Sequence, residues 1–225
     1  MKTTLTRKER RAEKTFMRGL DVPKRRTKRP VILAMIGLVG SGKSSVARYA
    51  AARIGAVVIA GDNIRVELRK QGERYENARR IAEDAALRVI ESSGSVVLDS
   101  DFSDAKKRAR IKRLAKAHRI RLVYVRTHCD FDVMVGRTIA ATYRSHASDF
   151  FGGATSKWRG TGQTKGAAVK LREMWRRTPR HYRWVNQTGG QWVLKKLPVR
   201  VIEIDTTDAR RWKGAVDRVL LKLRR

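Results

Sequence analysis

The sequence predicts an α/β fold: a five-stranded parallel sheet with helices on both faces, and a helix-plus-hairpin insertion before the last strand. Three observations predict it. Short apolar runs alternate with helix-length amphipathic segments, the pattern of strands joined by right-handed crossover helices. The first run, Val31 to Ile36, is apolar at every position, as a strand buried on both faces requires. A glycine-rich turn follows it and opens a helix, the connection that places ligands at the carboxyl edge of such sheets.

The elements follow in order. Residues 1–30 carry twelve Lys or Arg against Glu9, Glu13 and Asp21, and are expected to form a basic flexible arm, either binding nucleic acid or simply solvated. Thr6 to Leu20 has the composition of a transient helix with few apolar residues. After the first strand, a helix runs from about Lys43 to Ile54 and stops at Gly55. Ala56–Ala60 is the second strand. A helix from about Glu76 to Ser92 places Ile81, Ala85, Val89 and Ile90 on one face. Ser95–Asp99 is the third strand, and Ser103 or Asp104 caps a very basic helix reaching His118. Arg121–Val125 is the fourth strand, and Asp130 caps a helix through Thr142. Val199–Ile204 is the fifth. The last helix repeats apolar residues at Ala209, Trp212, Val216, Val219, Leu220 and Leu223, a 3.6-residue period.

The core is therefore 31–143 with 199–225, and residues 144–198 form a basic lid or substrate-binding insertion. The insertion reads as a helix from Thr164 to Arg177 and two β stretches, His181–Asn186 and Gln191–Lys195. It holds four of the five tryptophans, 158, 175, 184 and 192. Their packing as the insertion's own small core is favoured over base stacking.

Composition narrows the class. Hydrophobic residues make up 41% of the 225 positions, enough for a core, which excludes wholesale disorder. The single cysteine, Cys129, excludes a disulfide framework and a cysteine zinc site. The longest apolar stretch, Val31 to Val39, is too short for a bilayer, and the basic N-terminus has no apolar signal core. A cytoplasmic protein with no membrane partner is expected. A net charge of +32 implies attraction to polyanions.

Gly37-Leu38-Val39-Gly40-Ser41-Gly42-Lys43-Ser44 satisfies G-x-x-x-x-G-K-[ST] between a strand and a helix, the context that motif requires. Glycines let the backbone turn its N–H groups onto a phosphate, and the helix N-terminus adds partial positive charge. Gly37, Gly40, Ser41, Gly42, Lys43, Ser44 and Ser45 are the expected nucleotide-binding residues. Lys43 supplies a cation to the β- and γ-phosphates, and the Ser44 hydroxyl suits Mg²⁺. Asp99 ends a buried strand at the same edge and is the second expected Mg²⁺ residue, with Asp101 either sharing that task or capping the next helix. Asp62, directly after the second strand, is placed to deprotonate an attacking hydroxyl, or else caps a helix. Arg65, three residues on, shares its face and can hold an anion in a bidentate fork.

These residues resemble the P-loop kinases related to polynucleotide kinase and zeta toxin, from Val31 to about Arg137. Gly37–Ser44, Asp62-Asn63-Ile64-Arg65 and Val97-Leu98-Asp99-Ser100-Asp101-Phe102 carry the resemblance. It implies strand order 2-3-1-4-5, ATP with Mg²⁺, Asp62 as general base, Arg65 on the acceptor, and a lid arginine over the transferring phosphoryl group, for which Arg137 is first choice and Arg144 second. The insertion departs from the short lid of that group.

The insertion carries twelve Lys or Arg against Asp149 and Glu173, and the helix at 104–118 adds Lys106, Lys107, Arg108, Arg110, Lys112, Arg113 and Lys116. Distributed charge rewards nucleic-acid binding through counterion release, and interleaved aromatics suit single strands. The leading expectation is therefore an ATP- and Mg²⁺-dependent kinase acting on a hydroxyl of RNA or DNA. The alternatives are a small-molecule kinase with a nucleoside, sugar, nucleotide-sugar or antibiotic acceptor, and a nucleic-acid-binding ATPase without kinase activity.

Overall fold

A computed structural model describes residues 4–20, 22, 27, 29–142 and 162–224. The central sheet contains β1 (Val31–Ile36), β2 (Ala56–Ala60), β3 (Ser95–Asp99), β4 (Arg121–His128) and β7 (Val201–Asp205). All neighbours are parallel, in the order β2-β3-β1-β4-β7, which is the expected 2-3-1-4-5 arrangement with the hairpin strands left out of the count.

The apolar run of β1 explains itself in this setting. Ile32, Ala34 and Ile36 face one side of the sheet, packed with α3 (Gly61–Lys70), α4 (Ala78–Glu91) and α5 (Ala105–Ala117). Leu33 and Met35 face the other, against α2 (Lys43–Ile54) and α8 (Trp212–Arg224). Successive side chains of a strand point to opposite faces, so a central strand with two buried faces has no polar position to spare.

Two elements differ from the sequence reading. Arg7–Arg18 is a helix, α1, not part of a flexible arm. A reciprocal cap closes its start: Glu9 N–H donates to Thr6 Oγ1 at 3.1 Å and Thr6 N–H to Glu9 Oε2 at 2.8 Å. Leu5, Ala12 and Phe16 join the core cluster that includes Ile64 and Leu68 of α3. Few apolar residues suffice, because Ala12 and Phe16 stand four apart on one face and the wall they meet is already apolar. The basic stretch Lys24–Arg26 and Lys28 lies outside the described residues. The second difference is α3 itself, which begins at Gly61 directly after β2. Its buried stripe is only Ile64 and Leu68, too short a period to stand out among charged neighbours.

β4 continues past Val125 to His128 although its last three residues are polar. Arg126 reaches Glu203 of β7 at 2.7 Å, and the Thr127 hydroxyl meets Ser41 Oγ at 2.8 Å. The insertion forms α7 (Gly162–His181) and an antiparallel hairpin, β5 (Tyr182–Val185) with β6 (Gln191–Leu194). Trp184 and Trp192 lie 5.3 Å apart, Trp175 and Trp192 5.6 Å, and Phe131, at the start of α6 (Phe131–Ala140), lies 4.9 Å from Trp184. The three described tryptophans pack on one another and on Phe131, but Trp175 is 50% and Trp184 36% exposed, so they form a half-open cluster and not a closed core. Trp158 and Arg144 lie outside the described residues.

Candidate active site

The loop between β1 and α2 is held from below and from both sides. Ser41 is buried, and its Oγ donates to the Leu38 carbonyl and shares a hydrogen bond with Thr127, each at 2.8 Å. Its side chain therefore braces the loop. The Thr206 hydroxyl, just past β7, donates to the Ser41 carbonyl at 3.0 Å. Asp101 accepts the Gly37 N–H at 3.4 Å, the Ser103 N–H at 3.1 Å and the Ser103 hydroxyl at 2.7 Å. Asp101 thus ties the loop to the β3 turn, and Asp104 caps α5 by accepting the Lys107 N–H at 2.9 Å.

Gly40 shows why the loop needs glycine. Its φ is +80°, and a β-carbon there would overlap the Met134 carbonyl oxygen and come within 2.8 Å of Thr138 Oγ1. Gly40→Ala should cost about 1–2 kcal/mol in backbone strain and about 1–3 kcal/mol in overpacking. The expected result is a clearly lower melting temperature together with lost nucleotide binding. An unchanged melting temperature would mean that α6 yields freely and that the fit is loose.

Lys43 and Asp99 stand together over this loop, with Nζ 3.7 Å from Oδ1 and only 8% of the Asp99 side chain exposed. That Oδ1 is buried without a hydrogen-bond partner. A buried carboxylate oxygen with an ion pair to Lys43 but no hydrogen bond is costly, and here it sits beside the glycine loop. Ser44, half-buried at the first turn of α2, supplies a second hard oxygen. The donors fit Mg²⁺ bound with a triphosphate: oxygen only, few in number, leaving room for phosphate oxygens and water. Ser45 is exposed on the solvent side of the same turn.

Asp62 lies at the same edge of the sheet. Ala60 pairs with Asp99 in the β2–β3 ladder, so Asp62, two residues on, starts α3 one strand away from the acid beside Lys43. Its side chain is 62% exposed and accepts from Arg65 Nη1 at 2.5 Å. Arg65 turns inward and lines a cavity of about 140 Å³ with Tyr75, Arg79, Ser100, Phe102 and Lys107. Burial lowers the Lys107 pKa, and Arg79 and Arg65 push in the same direction against the attraction of Asp101. Lys107 Nζ donates to the Asp101 carbonyl at 2.9 Å. Glu83 lines the far wall, its pKa raised by burial although Arg110 pairs with it at 2.8 Å. Three cations, Arg65, Arg79 and Lys107, and two acids, Glu76 and Glu83, line the cavity with Tyr75 and Phe102. Asp101, which accepts from both Gly37 and Lys107, connects it to the phosphate loop.

Arg137 sits across the loop from that cavity. It donates to Thr206 Oγ1 at 3.1 Å and to the Thr206 carbonyl at 2.5 Å, at the β7 end of the sheet, while the cavity lies at the β2 end. Reaching a transferring phosphoryl group would require release of those bonds.

Sequence reasoning missed Tyr75, Arg79, Lys107 and Thr206. Thr206 had a signal, a hydroxyl at the carboxyl end of the last strand, where ligands gather in such sheets. Lys107 had none, being one of seven cations in a basic helix.

Residues 32–150 match the AAA domain family. An adenylyl-sulfate kinase of Bacillus velezensis is 33% identical over 141 residues, covering 56% of this chain and 70% of that protein. One from Bacillus pumilus is 34% identical over the same shares. Among solved structures, a Mycobacterium tuberculosis APS kinase in complex with AMPPNP and APS superposes with a TM-score of 0.53 at 20% identity, covering 88% of this chain and all of that one. These similarities support a P-loop kinase. They do not point to the polynucleotide kinase and zeta toxin group in particular.

Proposed function

The chain belongs to the AAA domain family and is a P-loop kinase, and from that premise we propose that it transfers the γ-phosphate of ATP to a hydroxyl of a small anionic molecule held in the cavity beside Arg65. This takes up the small-molecule alternative in preference to the leading sequence expectation, a nucleic-acid acceptor, because the similar proteins are adenylyl-sulfate kinases. The observation that carries it is the cavity. Arg65, Arg79 and Lys107 line the same cavity of about 140 Å³ as Tyr75 and Phe102. A polynucleotide would need an open track for its backbone. A bounded cleft that offers arginines, a lysine and aromatic side chains suits one anionic group and one flat ring system. Adenylyl sulfate, on which the named relatives act, combines both, and is the first acceptor to test.

The chain's residues divide the work as follows. The glycine loop and Lys43 hold the β- and γ-phosphates, and Ser44 and Asp99 hold the metal position. Bound Mg²⁺ supplies charge neutralisation on the phosphates. Arg65, Arg79 and Lys107 hold the acceptor's anion and fix its hydroxyl in line. Asp62 takes the hydroxyl proton on its carboxylate as the new oxygen–phosphorus bond forms and the bond to the leaving ADP breaks.

Equilibrium binding tests the acceptor site without relying on turnover. With ADP and Mg²⁺ present, adenylyl sulfate should bind the wild type and lose roughly tenfold or more in affinity in Arg65→Ala and Arg79→Ala, the loss expected for a hydrogen bond to a charged group. Oligonucleotide affinity should be unchanged in both. Equal loss for oligonucleotides would return the cavity to a nucleic-acid acceptor.

A further inference from the structure

Three buried polar atoms around one small cavity have no hydrogen-bond partner: Arg126 Nε, the Tyr182 hydroxyl and Trp192 Nε1. Their side chains line a space of about 20 Å³ together with Leu38 and Ser41 of the phosphate loop. Tyr182 and Trp192 come from the hairpin, outside the segment that matches the family, and Tyr182 is only 3% exposed. Arg126 keeps its charge engaged with Glu203 through Nη1 at 2.7 Å, so its Nε–H is left over.

All three atoms are hydrogen-bond donors. A buried donor without an acceptor costs about 1–3 kcal/mol, and three beside one cavity call for an occupant that accepts. Water accepts two hydrogen bonds and must place two protons of its own. A phosphate oxygen only accepts. The space takes one oxygen atom, by the measure that roughly 10–15 Å³ holds a water, and not a whole phosphoryl group. The terminal phosphate of a triphosphate carries three unesterified oxygens. Lys43 and a metal held by Ser44 and Asp99 would engage oxygens on one side of it, and an oxygen on the other side would be open to the hairpin's donors. Burial, reinforced by Asp101, raises the phenol pKa, so Tyr182 stays a donor.

Resting on the kinase reading, we propose that the hairpin completes the phosphate site: Tyr182 donates its hydroxyl hydrogen to an oxygen of the nucleotide's γ-phosphate, with Trp192 beside it, making the insertion a reader of triphosphate over diphosphate.

Calorimetric binding of MgATP and MgADP to the full chain, with melting temperatures measured without nucleotide, tests this. Tyr182→Phe should weaken MgATP roughly tenfold, the loss of one charge-assisted hydrogen bond. MgADP affinity should hold, and the melting temperature without nucleotide should hold or rise, because the hydroxyl removed is a buried donor with no partner there. Trp192→Phe should show the same ATP-selective loss and serves if the tyrosine variant fails to fold. An unchanged ratio of ATP to ADP affinity in both variants overturns the proposal. So does a lowered melting temperature with unchanged ATP binding, which would place a buried water on the hydroxyl. Wild-type protein that binds neither nucleotide would instead overturn the kinase reading itself.

Discussion

Lys43→Ala lowers phosphoryl transfer roughly 10²- to 10³-fold, the scale expected when a preorganised charge aimed at a developing negative charge is removed. The ammonium is the cation of the loop and stands 3.7 Å from Asp99. Its removal takes away the attraction for the terminal phosphates and leaves a nearly buried carboxylate facing them. ATP affinity falls with turnover, because ground state and transition state both lose the contact. Label transfer from γ-labelled ATP, measured alongside nucleotide binding, checks both effects. A variant with turnover within a few-fold of wild type would remove Lys43 from the chemistry.

Asp62→Asn abolishes most transfer and leaves nucleotide binding nearly intact. Loss of a positioned general base costs roughly 10²- to 10⁴-fold. The substitution keeps size and polarity at the first turn of α3, so the backbone has no reason to move. The ion pair with Arg65 is lost, but an exposed pair contributes about 1 kcal/mol at most. The diagnostic pattern is therefore a collapse in kcat with unchanged melting temperature and unchanged ATP affinity. Normal turnover would reduce Asp62 to a residue that orders Arg65 and starts a helix.

The contrast between these two acids shows what the sequence could carry. Asp99 was legible because it ends an apolar run, and the ladder with β2 puts it where that ending implies. Asp62 was legible as an acid at a strand end, but its partner cavity was not. Arg65 lies in α3, Tyr75 just before α4, Arg79 at the start of α4 and Lys107 in α5, and only the packing of these helices on the sheet brings them to one cavity. A count of cations along the chain reports their sum and not their convergence, which is why the charge pointed to polyanions in general. The five strands were readable from continuous apolar runs, while their order came only from the resemblance to P-loop kinases and agrees with the sheet. α1 was legible only as a transient helix over Thr6 to Leu20 and not as a packed one, because a helix anchored by Leu5, Ala12 and Phe16 has too little apolar period to separate it from a basic tail. Arg137 illustrates a different limit. Its position in α6 followed from the sequence, while its bonds to Thr206 depend on a loop 69 residues away.

A single-turnover reaction with γ-labelled ATP and Mg²⁺, offered adenylyl sulfate and a 5′-hydroxyl oligonucleotide in the same tube, tests the central claim most directly. Label should appear on the small acceptor and disappear from it in Arg65→Ala. Label on the oligonucleotide, or only in free phosphate, would contradict it.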